Sequence, residues 1–145
     1  LIWDGKTMTK PIFVDTSYLL ALLNSHDEFH QHASAIADQI DVKLITTEAV
    51  LTEIGNALAK SQWRELAVDT LNDLRDDEDV EILSISSELF SKALKFYSSR
   101  MDKEWGLTDC ISFVVMKDRK LIDALTTDHH FEQAGFKALL CDMGK

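Results

Sequence analysis

The order of elements along this chain predicts an α/β fold, with a parallel sheet covered by helices on both faces. Three observations carry that expectation. Short apolar runs of strand length alternate with segments whose apolar residues recur at helical spacing. Carboxylates end two of those runs and stand on or at the start of two helices, and an open α/β sheet gathers its ligands beyond the carboxyl ends of its strands. The 145 residues hold no internal repeat, low-complexity tract or linker, so they read as one domain.

Each element has its own signal. Ile12 to Val14 is a short buried strand, and Ser17 to Asn24 a helix with Leu19, Leu20, Leu22 and Leu23 apolar. Asp27 to Ile40 carries Phe29, Ala33, Ile36, Ala37 and Ile40 at helical spacing. Lys43 to Thr46 is the second strand. Thr47 can cap a helix running to Lys60, whose stripe is Val50, Ile54, Ala57 and Leu58. Trp63 to Leu74 continues as a helix, and Val80 to Ile85 alternates as the third strand. Ser86 caps a helix bearing Leu89, Phe90, Ala93, Leu94 and Tyr97, and Thr108 is expected to cap the next, through Lys117. Leu121 to Thr127 holds strand four. His129 to Ala134 is a helical turn ended by Gly135, and Phe136 to Leu140 is the fifth strand.

Composition narrows the function classes. Hydrophobic residues make up 46% and a single Pro is present, as in a globular protein with a substantial core. No apolar stretch has the length of a membrane span, and the first residues lack the basic-then-apolar pattern of a signal peptide. Residues 10–141 are expected to form the domain. Residues 1–9 read as an N-terminal extension, native or vector-derived, with Met8 a natural start. Cys110 and Cys141 give no disulfide framework, in keeping with a reducing cytoplasm. The formal charge of −10 and pI near 4.8 argue against a broad basic surface that grips nucleic acid. Part of the excess crowds into Asp69, Asp73, Asp76, Asp77, Glu78, Asp79 and Glu81, which read as a solvated helix end and loop; the sharper alternative is a patch for a basic partner.

Four acids stand out: Asp15, Glu53, Asp109 and Asp128. Each has a plainer structural reading. Asp15 and Asp128 could cap the helices that follow them, Glu53 could decorate the edge of an apolar stripe, and Asp109 could answer a helix dipole. Together they say more. Carboxylates converging on one edge repel one another and call for a cation. Oxygen ligands select Mg²⁺ or Mn²⁺. That is the chemistry of metal-assisted phosphodiester hydrolysis. Thr16, Asn56, Thr108 and Thr126 stand beside the acids as supporting side chains, Asn56 one helical turn after Glu53. His129 and His130 tempt a zinc reading, but no Cys or His partner lies at ligand spacing. There is no Gly-rich phosphate loop and no nucleophile elbow. The second Asp of a haloacid-dehalogenase-type phosphatase is replaced by Ser17.

Four stretches in order carry a resemblance: Val14-Asp15-Thr16-Ser17, Thr52-Glu53-Ile54-Gly55-Asn56-Ala57-Leu58, Trp105-Gly106-Leu107-Thr108-Asp109-Cys110-Ile111-Ser112-Phe113 and Leu125-Thr126-Thr127-Asp128-His129-His130-Phe131. The chain resembles, from about Pro11 to Leu140, the PIN domain (PilT N-terminus) family, and within it the VapC-like ribonuclease toxins. The resemblance implies a three-layer α/β/α sandwich with a five-stranded parallel sheet, RNA as substrate, and Asp15, Glu53, Asp109 and Asp128 around Mg²⁺ or Mn²⁺. It also implies a homodimer and a small antitoxin whose Arg could enter the acidic cleft. Two other functions fit the same fold: a non-catalytic binding module and a stand-alone RNA-processing nuclease.

Overall fold

The computed structural model describes residues 1–3 and 5–143, with side chains through residue 141; Asp4 of the 1–9 extension lies outside the described residues. A hairpin of β1 (Ile2–Trp3) and β2 (Lys6–Thr7) precedes the domain. The order then runs β3 (Ile12–Val14), α1 (Thr16–Leu23), α2 (His30–Ala37), β4 (Leu44–Thr47), α3 (Glu48–Ala57), α4 (Ser61–Asp76), β5 (Val80–Leu83), α5 (Ser87–Ser99), α6 (Leu107–Asp118), β6 (Asp123–Leu125), α7 (His130–Gln133), β7 (Lys137–Ala138) and α8 (Leu139–Met143). Strands β3 to β7 form one parallel sheet in the order β5-β4-β3-β6-β7. The expected five-stranded α/β fold is therefore present. Trp3 and Met8, from the N-terminal segment, pack against the same core.

The strand order creates the site. From β3 the chain steps outward to β4 and β5, then returns across to β6 and β7. Right-handed crossovers put the helices of those two excursions on opposite faces. In agreement, α1 packs on α2 and α3, and α3 on α4, while α5 packs on α6 and α6 on α7. The chain thus leaves adjacent strands β3 and β6 toward opposite faces, which opens a crevice at their carboxyl ends. β3 is the fully buried centre, pairing Phe13 with Ile45 on one side and Ala124 on the other.

Local chemistry explains the differences from the expected boundaries. Helix α2 begins at His30, not Asp27, because the Asp27 carboxylate accepts the Phe29 N–H at 2.8 Å and holds a turn there. Thr47 and Ser86 cap as expected, accepting from the N–H groups of Val50 (3.3 Å) and Leu89 (3.0 Å). Thr108 does not cap: α6 starts one residue earlier, at Leu107, with Gly106 as its N-cap. The fifth strand stops at Ala138; Leu139 and Leu140 are buried in α8, and the Leu140 N–H donates to the Thr126 carbonyl at 3.2 Å. The acidic segment from Asp69 to Glu81 is exposed throughout its acids, at the end of α4 and the start of β5.

Candidate active site

Asp15 follows β3 and caps α1. Its Oδ2 accepts from the Ser17 hydroxyl and the Thr126 hydroxyl, each at 2.7 Å, and from the Ser17 N–H at 3.4 Å. Those hydroxyls are held in turn, since Ser17 Oγ accepts the Thr127 N–H and Thr126 Oγ1 the Asp128 N–H, both at 3.0 Å. Two short side chains thereby tie the end of β3 to the end of β6. The Asp15 side chain belongs to a residue only 5% exposed. Burial pushes its pKa up, and the hydroxyl donors partly offset that by favouring the ionised form.

Across the crevice stand Asp109 and Asp128. Asp109 occupies the third position of α6, where its Oδ2 accepts the Gly106 N–H at 3.1 Å. From that third position it bonds back to the N-cap backbone, a different job from the N-cap role expected of Thr108; Thr108 itself is half-buried, its carbonyl accepting from Ser112 at 3.1 Å. Burial first, then the negative charge of Asp128, push the Asp109 carboxyl up to about 6, with a smaller push from Asp15. Asp128 follows β6, and its Oδ1 accepts the His130 N–H at 2.8 Å. The His130 ring then turns back so that Nδ1 stands 3.4 Å from both Asp109 Oδ2 and Asp128 Oδ1. One ligand atom each from Asp109, Asp128 and His130 fall within 4.8 Å of one another.

This arrangement is rigidly backed. Phe131, the residue after His130, is fully buried and meets Phe113 of α6 edge-on at 4.9 Å between ring centres. Trp105, just before α6, packs edge-on against Phe113 at 5.1 Å, and its indole N–H donates to Gln133 of α7 at 2.9 Å. The helices that deliver Asp109 and His130 therefore share one aromatic core.

Glu53 lies beside the buried stripe of α3, on its solvent side, and Ala57 of the expected stripe is exposed. Glu53 is exposed, as is Asn56, and the buried stripe of α3 is Ala49, Val50 and Ile54. Its link to the edge is Thr16, whose hydroxyl donates to Glu53 Oε1 at 2.6 Å. Because Thr16 follows Asp15, Glu53 reaches the same end of β3 from the outside. Neither Glu53 nor Asp15 belongs to the tight group of Asp109, Asp128 and His130. Two participants were not singled out from sequence as site residues. From sequence Ser17 reads as a helix start and as the wrong residue for a phosphatase, and His130 lacks the Cys or His partners of a zinc site. The usable signal for His130 is its position two residues after Asp128, close enough to fold back on it.

The donor set suits a divalent cation. Two carboxylates crowd without a Lys or Arg partner of their own among the described residues, and the oxygen atoms they offer are hard ligands. A hollow of about 720 Å³ lies elsewhere, lined by Glu48, Leu51, Thr52, Leu71 and Arg75 among others, and none of the four acids lines it.

A five-stranded parallel sheet with acids gathered at its central carboxyl edge defines a class of α/β protein, and the comparisons name the family. The chain belongs to the PIN domain family, whose model matches residues 12–137. It is 28% identical over 125 residues to the 23S rRNA-specific endonuclease VapC20 of Mycobacterium tuberculosis, a match covering 86% of this chain and 95% of that protein. The crystal structure of that protein, described as a Sarcin-Ricin loop cleaving toxin, superposes with a TM-score of 0.81 over 87% of this chain and 96% of the other. VapBC-1 from nontypeable Haemophilus influenzae shares the fold, with a TM-score of 0.63 at 13% identity over 89% of this chain and 98% of that one.

Proposed function

We propose that this chain is a metal-dependent endoribonuclease that hydrolyses RNA phosphodiester bonds, and that it is the toxin of a cytoplasmic toxin–antitoxin pair. The observation that carries the reading is the meeting of Asp15, Asp109 and Asp128 at the crevice between β3 and β6, in a chain that aligns over most of its length with a named rRNA endonuclease. Asp15, Glu53, Asp109 and Asp128 are assigned as the acids that hold Mg²⁺ or Mn²⁺, with Thr16 and Thr126 orienting them. When bound, such a cation supplies Lewis-acid chemistry: it lowers the pKa of water and offsets charge that develops on the phosphate.

The chain's own residues do the rest. The Ser17 and Thr126 hydroxyls both donate to Asp15 Oδ2 and hold the carboxyl group in one orientation. The Gly106 N–H fixes Asp109 at the start of α6. Thr16 fixes Glu53 on the outer rim. An anionic RNA backbone meets an acidic chain, so binding depends on the cation and on few basic side chains. Arg100 is paired with Asp102 at 3.0 Å, and Arg119 with Glu81 at 2.6 Å, which removes two of the basic groups from that task. A small antitoxin with an Arg that enters the crevice would match two carboxylates by geometry and silence the site. A homodimer completes the proposal.

The test is cleavage of ribosomal RNA by the purified chain with Mg²⁺ or Mn²⁺, with and without chelator. Cleavage that stops in chelator and returns with Mn²⁺ supports the reading. Full activity in chelator, or none with either metal, contradicts it.

A further inference from the structure

The carboxylates do not close the site by themselves. We infer that His130 is the nitrogen ligand of the cation site, binding the ion through Nδ1 together with Asp109 and Asp128. The inference rests on the metal-dependent reading above and adds a donor that the four acids lack.

Three observations point to it. First, the His130 Nδ1 stands 3.4 Å from an oxygen of each acid, and the three ligand atoms lie within 4.8 Å of one another, whereas Asp15 and Glu53 fall outside that group. Adjacent ligands on an octahedral centre with bonds of about 2.1 Å stand about 3 Å apart, so one ion fits among these atoms after small side-chain adjustments. Second, the ring is delivered by an anchored backbone. The His130 N–H is fixed to Asp128 at 2.8 Å, and Phe131 is locked into the core against Phe113 and Phe13. Third, the three side chains remain partly open to solvent, at 24% for His130, 19% for Asp109 and 30% for Asp128, which leaves room for an ion and water to enter. His129, the residue before it, is exposed and outside the group, although its ring lies 5.0 Å from that of His130.

The alternative role for His130 is a hydrogen-bond bridge that merely positions the two acids. The two roles differ in metal preference. An imidazole nitrogen favours the transition metals, so it shifts a site from Mg²⁺ toward Mn²⁺, while a bridge leaves an all-oxygen site with no such shift.

Pulsed electron paramagnetic resonance of Mn²⁺ bound to the whole chain separates them. The parent is expected to show coupling to one imidazole nitrogen, with the pattern changed by ¹⁵N-histidine labelling. His130→Gln is expected to lose that coupling and to bind Mn²⁺ about tenfold or more weakly, with a smaller loss for Mg²⁺. His129→Gln should keep the coupling and the affinity. Mn²⁺ that binds, and is weakened by Asp109→Asn, but shows no nitrogen coupling would overturn the inference while leaving the acidic metal site intact. Coupling that vanishes in His129→Gln instead would overturn it too. Failure of Mn²⁺ to bind at all would remove both this inference and the metal-dependent function. The parent spectrum decides whether nitrogen binds, and the paired His130→Gln and His129→Gln variants, each checked for its fold by circular dichroism, say which ring supplies it.

Discussion

The two sides of the crevice solve the same problem in different ways. On one side Asp15 is buried, and two hydroxyls donate to it at 2.7 Å while backbone N–H groups fix those hydroxyls. On the other side Asp109 and Asp128 are half-exposed and face each other, with one N–H apiece and the His130 ring between them. The first acid is fixed by the protein itself. The second pair brings two like charges together with no Lys or Arg partner among the described residues; burial first, and then the Asp128 charge, push the Asp109 carboxyl up to about 6. The difference teaches where a cation matters. Asp15 is a post whose geometry the fold supplies; the Asp109–Asp128 pair is the part that a bound cation would complete.

Substitutions should break that contrast in order of size. The largest effect is on catalysis. Asp15→Asn and Asp109→Asn should each lower RNA cleavage by about 100-fold or more, because losing even an outer-shell partner of a metal site costs about 10–100-fold. Activity close to the parent's in either variant would take that acid out of the site. Next comes stability on the Asp15 side. Thr126→Val or Ser17→Ala leaves a buried carboxylate short of a donor and should cost about 1–3 kcal/mol, read by denaturant unfolding. An unchanged midpoint would mean that water replaces the hydroxyls without loss.

The smallest effect is on pH. The Asp109 pKa lies near 6 in the fold, above its ordinary 3.8, so between those values the folded chain holds a proton that the unfolded chain releases. The stability this group contributes is therefore fully present below about pH 4 and is lost as pH rises through about 6. Buried Asp15, also raised, acts in the same direction. Metal-free protein should melt at a higher temperature at pH 5 than at pH 7.5, and Asp109→Asn should flatten that slope. A melting temperature that rises toward pH 7.5 would contradict the raised Asp109 and Asp15 pKa values.

Much of the fold was legible in the sequence because strand and helix periods are local. The β3 run Ile12-Phe13-Val14 and the hydroxyls of Thr47 and Ser86 announce themselves within a few residues. The misplacements have local causes as well. Thr108 has a capping hydroxyl, but Gly106 two residues earlier, answered by Asp109 three residues after it, takes the position. Phe136 to Leu140 has the composition of a strand, yet Leu140 bonds to the end of β6 and the chain turns helical after Ala138. The site was legible only as far as its acids lie at element ends. Ser17 meets Thr126 and Thr127 across about a hundred residues of chain, a contact no local pattern carries. Glu53 reads from sequence as lying on or near the apolar stripe of α3; helical spacing alone does not tell an edge position from an exposed one, and its tie to Thr16 depends on how α1 packs on α3.

The central claim is that Asp109 and Asp128 repel each other until a divalent cation joins them. Melting temperatures of the parent and Asp109→Asn, at pH 7.5, with and without Mn²⁺, test it most directly. Asn keeps an oxygen for the Gly106 N–H, so the start of α6 survives the change. The variant should melt above the parent without metal, and Mn²⁺ should raise the parent by several degrees but the variant by less. A variant that melts below the parent without metal, or that gains as much from Mn²⁺, would contradict the claim.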